Sequence, residues 1–243
     1  MKQAAIFLRK LLFPPRCPVC GRVLGFVARC ETCEALVKTV RRAPDTRVPK
    51  EDMPAFLCAA CTPFWYEMPM KRTVLLAKYG AQRSAFEFLA QHMAQAVREQ
   101  GEEMCADLVV PVPSHPRAVR RRGHDTALLL AKALCEHLAL PLCADALEKT
   151  TDTRQQHTLT REERRANLLG AFAVKRPEEV KGRTVLLVDD VFTTGATLNE
   201  CAKMLLFAGA HSCVACCAAL TPSPRGRGGE KGGAPPAPRA PGR

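Results

Sequence analysis

From residue 84 onward, apolar positions fall at helical spacing. Ala85, Leu89, His92, Met93, Ala96 and Val97 share one face, which predicts a helix over 84–99. Leu108–Val112 is a short apolar run interrupted and followed by prolines, the pattern of a buried strand. Leu130, Ala133, Leu134 and Leu138 then predict an amphipathic helix over 125–138. Thr184–Val188 is almost wholly apolar and of strand length, as a central parallel strand requires. Thr197–Phe207 reads as a helix closed near Gly209, and Cys213–Leu220 as a last buried strand. Strand, helix and strand in that order predict a right-handed βαβ unit within an α/β domain with a mostly parallel sheet.

The flanks differ in composition. Residues 1–62 are punctuated by Cys and Pro, without a long periodic helix, and 38–55 read as a loop. Residues 222–243 are rich in Pro, Gly and Arg and bury almost nothing, which predicts disorder. The expected organisation is a small cysteine module over 1–62, a catalytic-type domain over 63–221 and a tail over 222–243.

The 36 Lys and Arg against 24 Asp and Glu give a net charge of +12, and the chain without 222–243 keeps +8. A polyanionic ligand or partner fits this balance, but charge alone names none. Thirteen cysteines, an odd number, exclude a fully paired intrachain disulfide framework and suit a reducing cytoplasm. The apolar stretch 4–8 is too short for a secretory leader, and no run reaches the ~20 apolar residues of a membrane span, so no membrane insertion is expected.

Cys17-x2-Cys20 and Cys30-x2-Cys33 have zinc-ribbon spacing. Four thiolates there would close a tetrahedral structural Zn²⁺ site with no position left for catalysis. Cys58 and Cys61 form an orphan pair, either remnants or competitors for that zinc. Phe64, Trp65 and Tyr66 follow it; packing of the module onto its neighbour is the favoured role, and stacking on nucleobases the other.

The chemistry concentrates in Val185–Thr197. A buried strand delivers Asp189 and Asp190 to the sheet's carboxyl edge, where open α/β sheets bind ligands. The loop Thr193, Thr194, Gly195, Ala196, Thr197 then enters a helix. Its hydroxyls, its close-approach glycine and the helix N-terminus suit a monophosphate. The carboxylates repel phosphate and suit neighbouring sugar hydroxyls, directly or through Mg²⁺. Together they describe a ribose 5-phosphate.

VLLVDDVFTTGAT resembles the phosphoribosyl pyrophosphate (PRPP) motif of type I phosphoribosyltransferases, departing at Phe192, where a smaller aliphatic residue is usual. Asp107–Arg117 with Arg120, Arg121, Arg122 and Gly123 resembles the pyrophosphate loop of the ComF/GntX family. Gln156–Leu159 with Arg164, Asn167 and 170–172 resembles its flexible loop, and LLFPPRCPVCG its N-terminus. In place of that family's Gly-Phe-Asn-Gln the chain reads Gly123-His124-Asp125-Thr126.

The resemblance implies a type I phosphoribosyltransferase-like fold behind a zinc ribbon, and a transferase acting on PRPP with Mg²⁺. It places the 5-phosphate on Thr193–Thr197, the ribose at Asp189 and Asp190 as the catalytic pair, and the pyrophosphate on Ser114–Arg117. The segment around 152–168 would close over the site. No C-terminal hood is expected after Leu220, and no residues read as a base pocket, so the acceptor is open. A second reading is a non-catalytic binder of single-stranded DNA working with competence proteins. A third is a PRPP-sensing regulator, for which no helix-turn-helix pattern is found.

Overall fold

A computed structural model describes residues 14–24, 30–150 and 171–222. The N-terminal residues 1–13, the 152–168 segment and the tail after 222, with the expectations placed on them, lie outside these described residues.

The elements, in chain order, are helix α1 (Glu31–Val40), strands β1 (Ala59–Cys61) and β2 (Phe64–Trp65), helices α2 (Met70–Gly80) and α3 (Arg83–Glu99), strand β3 (Leu108–Pro111), helices α4 (Pro116–Arg122) and α5 (Thr126–Leu138), strands β4 (Leu147–Lys149) and β5 (Phe172–Val174), the single turn α6 (Pro177–Val180), strand β6 (Thr184–Phe192), helix α7 (Ala196–Phe207) and strand β7 (Ser212–Leu220). The main sheet runs β1-β7-β6-β3, with β2 also on β7, and each of these pairs is parallel. β4 and β5 form a separate antiparallel pair.

β6 explains the architecture. Val185, Leu186, Leu187 and Val188 are all buried. Alternation sends Leu186 and Val188 into a core with α2, α3 and α5, and Val185 and Leu187 into a core with α7. A sheet covered on both faces needs such an unbroken apolar run. No helix among the described residues is long and apolar enough to cross a membrane.

The N-terminal stretch, read as lacking a long periodic helix, holds one short helix. Glu31–Val40 is helical, and its buried Val37 and Val40 join Cys17, Val19 and Cys33 in the α2–α3 core. Residues 38–55 likewise include the end of α1 and a 3-10 turn at Lys50–Asp52. β1 precedes residue 62 yet is an edge strand of the main sheet, with Cys61 opposite Cys216. Phe64 is fully buried and stacks on Phe88 at 6.0 Å between centroids, and the Arg42 guanidinium lies 4.7 Å over Trp65. Both rings act in packing.

Candidate functional site

Two loops meet at the carboxyl ends of β3 and β6. The register pairs Pro111 with Val188, and the Val112 amide donates to the Val188 carbonyl at 2.9 Å. Ser114 therefore leaves the sheet beside the point where Asp189 and Asp190 emerge.

The acidic pair lies inside β6, so adjacent side chains face opposite ways. Asp189 lines a small concavity with Thr193, Gly195, Ala196 and Thr197. Thr194 is not part of that lining; its hydroxyl accepts from the Ala196 amide at 3.4 Å. Asp190 instead faces α2, where Lys78 Nζ donates to its Oδ2 at 2.8 Å. Burial, then the neighbouring Asp190 charge, pushes the Asp189 carboxyl up to about 7. Burial weakens the Lys78 charge, but the Asp190 carboxylate outweighs it and holds the ammonium above its ordinary range.

The threonine loop is held from two sides. Gly195 caps α7 with φ +68°, and a Cβ there would lie 2.5 Å from Pro54 Cγ and 2.7 Å from Phe192 Cζ. Asn199 Oδ1 accepts from the Phe56 amide at 3.1 Å, tying the 53–57 segment to α7. The buried ring of Phe192, the departure from the usual motif, is thus the floor of this loop.

The segment expected to be a basic loop is partly helical. Pro116 opens α4 after His115, whose ring accepts from the Arg117 amide, and Gly123 closes it at φ +82°. Arg117, Arg120 and Arg121 are exposed, whereas Arg122 turns inward and donates to Ser114 Oγ at 2.9 Å. The Nε of Arg122 is buried without a partner among the described residues. Asp125 accepts from the Ser114 amide (3.1 Å) and hydroxyl (3.2 Å) and also caps α5. His124 Nε2 lies 2.9 Å from the Ala77 carbonyl of α2. The departing residues 123–126 therefore end one helix, begin the next and fix the Ser114 loop.

Sequence reasoning missed Lys78, Asp125, Pro54 and the inward turn of Arg122. Asp125 carried a signal, an Asp directly before a helical pattern. Lys78 and Pro54 carried none, because their partners lie more than a hundred residues away.

The four cysteines come together as their spacing predicts. The Sγ atoms of Cys17, Cys20, Cys30 and Cys33 lie within 4.8 Å of one another. Thiolates bound tetrahedrally to zinc stand about 3.8 Å apart, so a small contraction closes the set. Burial raises the Cys17 and Cys33 thiols. It also opposes ionisation of Cys20, but the Arg22 backbone amide and the neighbouring thiols outweigh it and bring that group to about 7. Cys58 is exposed and Cys61 is buried against Cys216, so neither belongs to the cluster. For Mg²⁺ the fit at Asp190 fails: the carboxylate already holds an ammonium, and lysine offers a cation only donors.

Residues 124–232 match the phosphoribosyl transferase domain family. Over 228 residues the chain is 28% identical to the DNA utilization protein YhgH of Escherichia coli O157:H7, spanning 87% of this chain and 99% of the relative. It is 32% identical over 143 residues to Competence protein F of Haemophilus influenzae, covering 58% of this chain and 56% of that one. Among solved structures, the glutamine PRPP amidotransferase of B. subtilis aligns with a TM-score of 0.40 at 20% identity, over 59% of this chain and 30% of that one. With its parallel sheet flanked by helices and its N-terminal four-cysteine cluster, the chain carries a phosphoribosyl transferase domain and is similar to the ComF-type competence and DNA utilization proteins.

Proposed function

We propose that this protein binds PRPP or a related ribose phosphate and transfers the phosphoribosyl group. The 5-phosphate sits on the Thr193–Thr197 loop, where small residues and the N-terminus of α7 favour an anion. The ribose hydroxyls lie at the acidic edge. The pyrophosphate lies along Ser114–Arg117, and the inward guanidinium of Arg122, with a spare buried donor, is the group best placed to meet it. No residue of the acidic edge would hold Mg²⁺ in this reading; an ion brought in with the ligand would supply charge neutralisation to the leaving group.

A nucleophile forms a bond to the anomeric carbon while the bond from that carbon to the pyrophosphate oxygen breaks. The electron pair leaves with pyrophosphate. The protein's part is to orient the sugar and neutralise the departing charge. The carrying observation is the β3–β6 register, which sets the Ser114 loop beside the acidic pair.

Calorimetry of PRPP with Mg²⁺ on the wild type and on Asp189→Ala/Asp190→Ala tests this. Binding to the wild type that is lost in the double variant is the expected result. Binding that persists unchanged in the variant rejects the site.

The exposed arginines of α4 support a second reading, single-stranded DNA binding in competence, in keeping with the relatives named for DNA utilization and competence. It predicts affinity for an oligonucleotide that falls steeply with salt, and falls with it in Arg120→Ala/Arg121→Ala.

A further inference from the structure

Lys78 projects from the last turn of α2, a helix outside the residues that match the transferase family. Its Nζ lies 2.8 Å from Asp190 Oδ2, with the two side chains 30% and 13% exposed. Among the described residues, Asp189, the Tyr66 phenol, the Arg122 guanidinium and the Cys217 thiol also act on this pair. The buried face of α2, including Met70, Val74 and Ala77, anchors the helix in the core, so the ammonium is carried by a fixed scaffold.

A divalent ion at Asp190 would have to displace this ammonium. Mg²⁺ needs oxygen ligands at about 2.0–2.1 Å in octahedral array, and a fixed cation within hydrogen-bond distance of the same carboxylate opposes it. We propose that Lys78 is the resident cation of the acidic edge: it takes the place of a divalent metal at Asp190, so that the carboxylates receive the hydroxyls of a ribose phosphate directly. Lys78 is thereby a positioning residue, acting on the sugar through Asp190. The part of this proposal that concerns ribose rests on the reading in the preceding section; the exclusion of metal from the edge does not.

The test has two arms on the zinc-loaded full chain. The first uses Mn²⁺ alone, followed by its paramagnetic resonance signal. Wild type and Lys78→Arg are expected to bind no Mn²⁺ at this edge. Lys78→Met is expected to gain about one site per chain, lost again in Lys78→Met/Asp190→Asn. Mn²⁺ binding by the wild type that disappears in Asp190→Asn overturns the proposal, and needs no lysine variant to fold. A folded Lys78→Met that gains no site overturns it as well.

The second arm measures ribose 5-phosphate binding by calorimetry. Wild-type affinity is expected to be the same with Mg²⁺ and without. Lys78→Met is expected to bind about tenfold more weakly without Mg²⁺ and to recover in part when it is added, while Lys78→Arg stays near wild type. Wild-type affinity that rises about tenfold with Mg²⁺ overturns the proposal. A wild type that binds no ribose phosphate defeats the functional reading instead, and the Mn²⁺ arm still decides the role of Lys78.

Discussion

Pro54 occupies the space into which a side chain on Gly195 would grow. A Cβ on that glycine would stand 2.5 Å from Pro54 Cγ, well inside contact distance, and the backbone there is left-handed at φ +68°. A residue from the N-terminal stretch thus sets the height of the roof over the Thr193–Thr197 turn.

Gly195→Ala is therefore expected to lower stability by about 2–4 kcal/mol, combining left-handed strain with overpacking. Denaturant midpoints measure it. Pro54→Ala in the same chain should return part of the loss, because removing the ring relieves one of the two clashes. A double-mutant cycle showing full additivity would place the cost in backbone strain and the Phe192 contact, not in Pro54.

Stability should also respond to pH through Asp189. Burial and the adjacent Asp190 raise its carboxyl from 3.8 to about 7, so the folded protein holds a proton that the unfolded chain releases. That stabilisation is full below about pH 4 and is lost as pH rises through about 7. Asp189→Asn is expected to flatten this dependence and to be more stable than wild type at pH 8 by about 1–3 kcal/mol. Paired denaturation curves at pH 5 and pH 8 check both statements.

The sequence declared its regular elements where one pattern dominated locally. β6 and β7 were visible because burial on both faces leaves unbroken apolar runs, and α3 and α5 because each shows one apolar stripe. The Thr193–Thr197 loop was legible for the same reason, since its residues are contiguous. β1 and β2 have only three and two residues and become strands because β7 offers them an edge. α4 did leave a trace in Pro116 and Gly123, the start and stop residues of a short helix, but its basic surface reads equally as a loop. The Lys78–Asp190 pair joins positions 112 residues apart, and no local pattern encodes such a meeting.

Metal analysis of the purified protein should give about one zinc per chain, bound by Cys17, Cys20, Cys30 and Cys33. Because Cys17 and Cys33 belong to the same core as α2 and α3, losing the metal should reach beyond the cluster. Chelation, or Cys20→Ser, is expected to lower the melting temperature and speed amide exchange in α2. Two zinc ions per chain would mean that Cys58 and Cys61 find ligands outside the described residues.

Asp125 is the residue on which the Ser114 loop turns. Its carboxylate caps α5 through the Ala127 and Leu128 amides and also accepts from the amide and hydroxyl of Ser114. Asp125→Ala removes all four acceptor contacts and is expected to cost about 1–3 kcal/mol. Asp125→Asn should cost less, because an amide oxygen still caps the helix while its NH₂ end meets the Ser114 donor unfavourably. Both changes also remove a negative charge that helps to raise the Asp189 carboxyl, so that group should titrate at a lower pH in each. A carboxyl-sensitive NMR titration separates this electrostatic effect from the structural one. Equal losses of stability in the Ala and Asn variants, with the Asp189 titration unmoved, would show that Asp125 acts neither as a cap nor as a charged neighbour of Asp189.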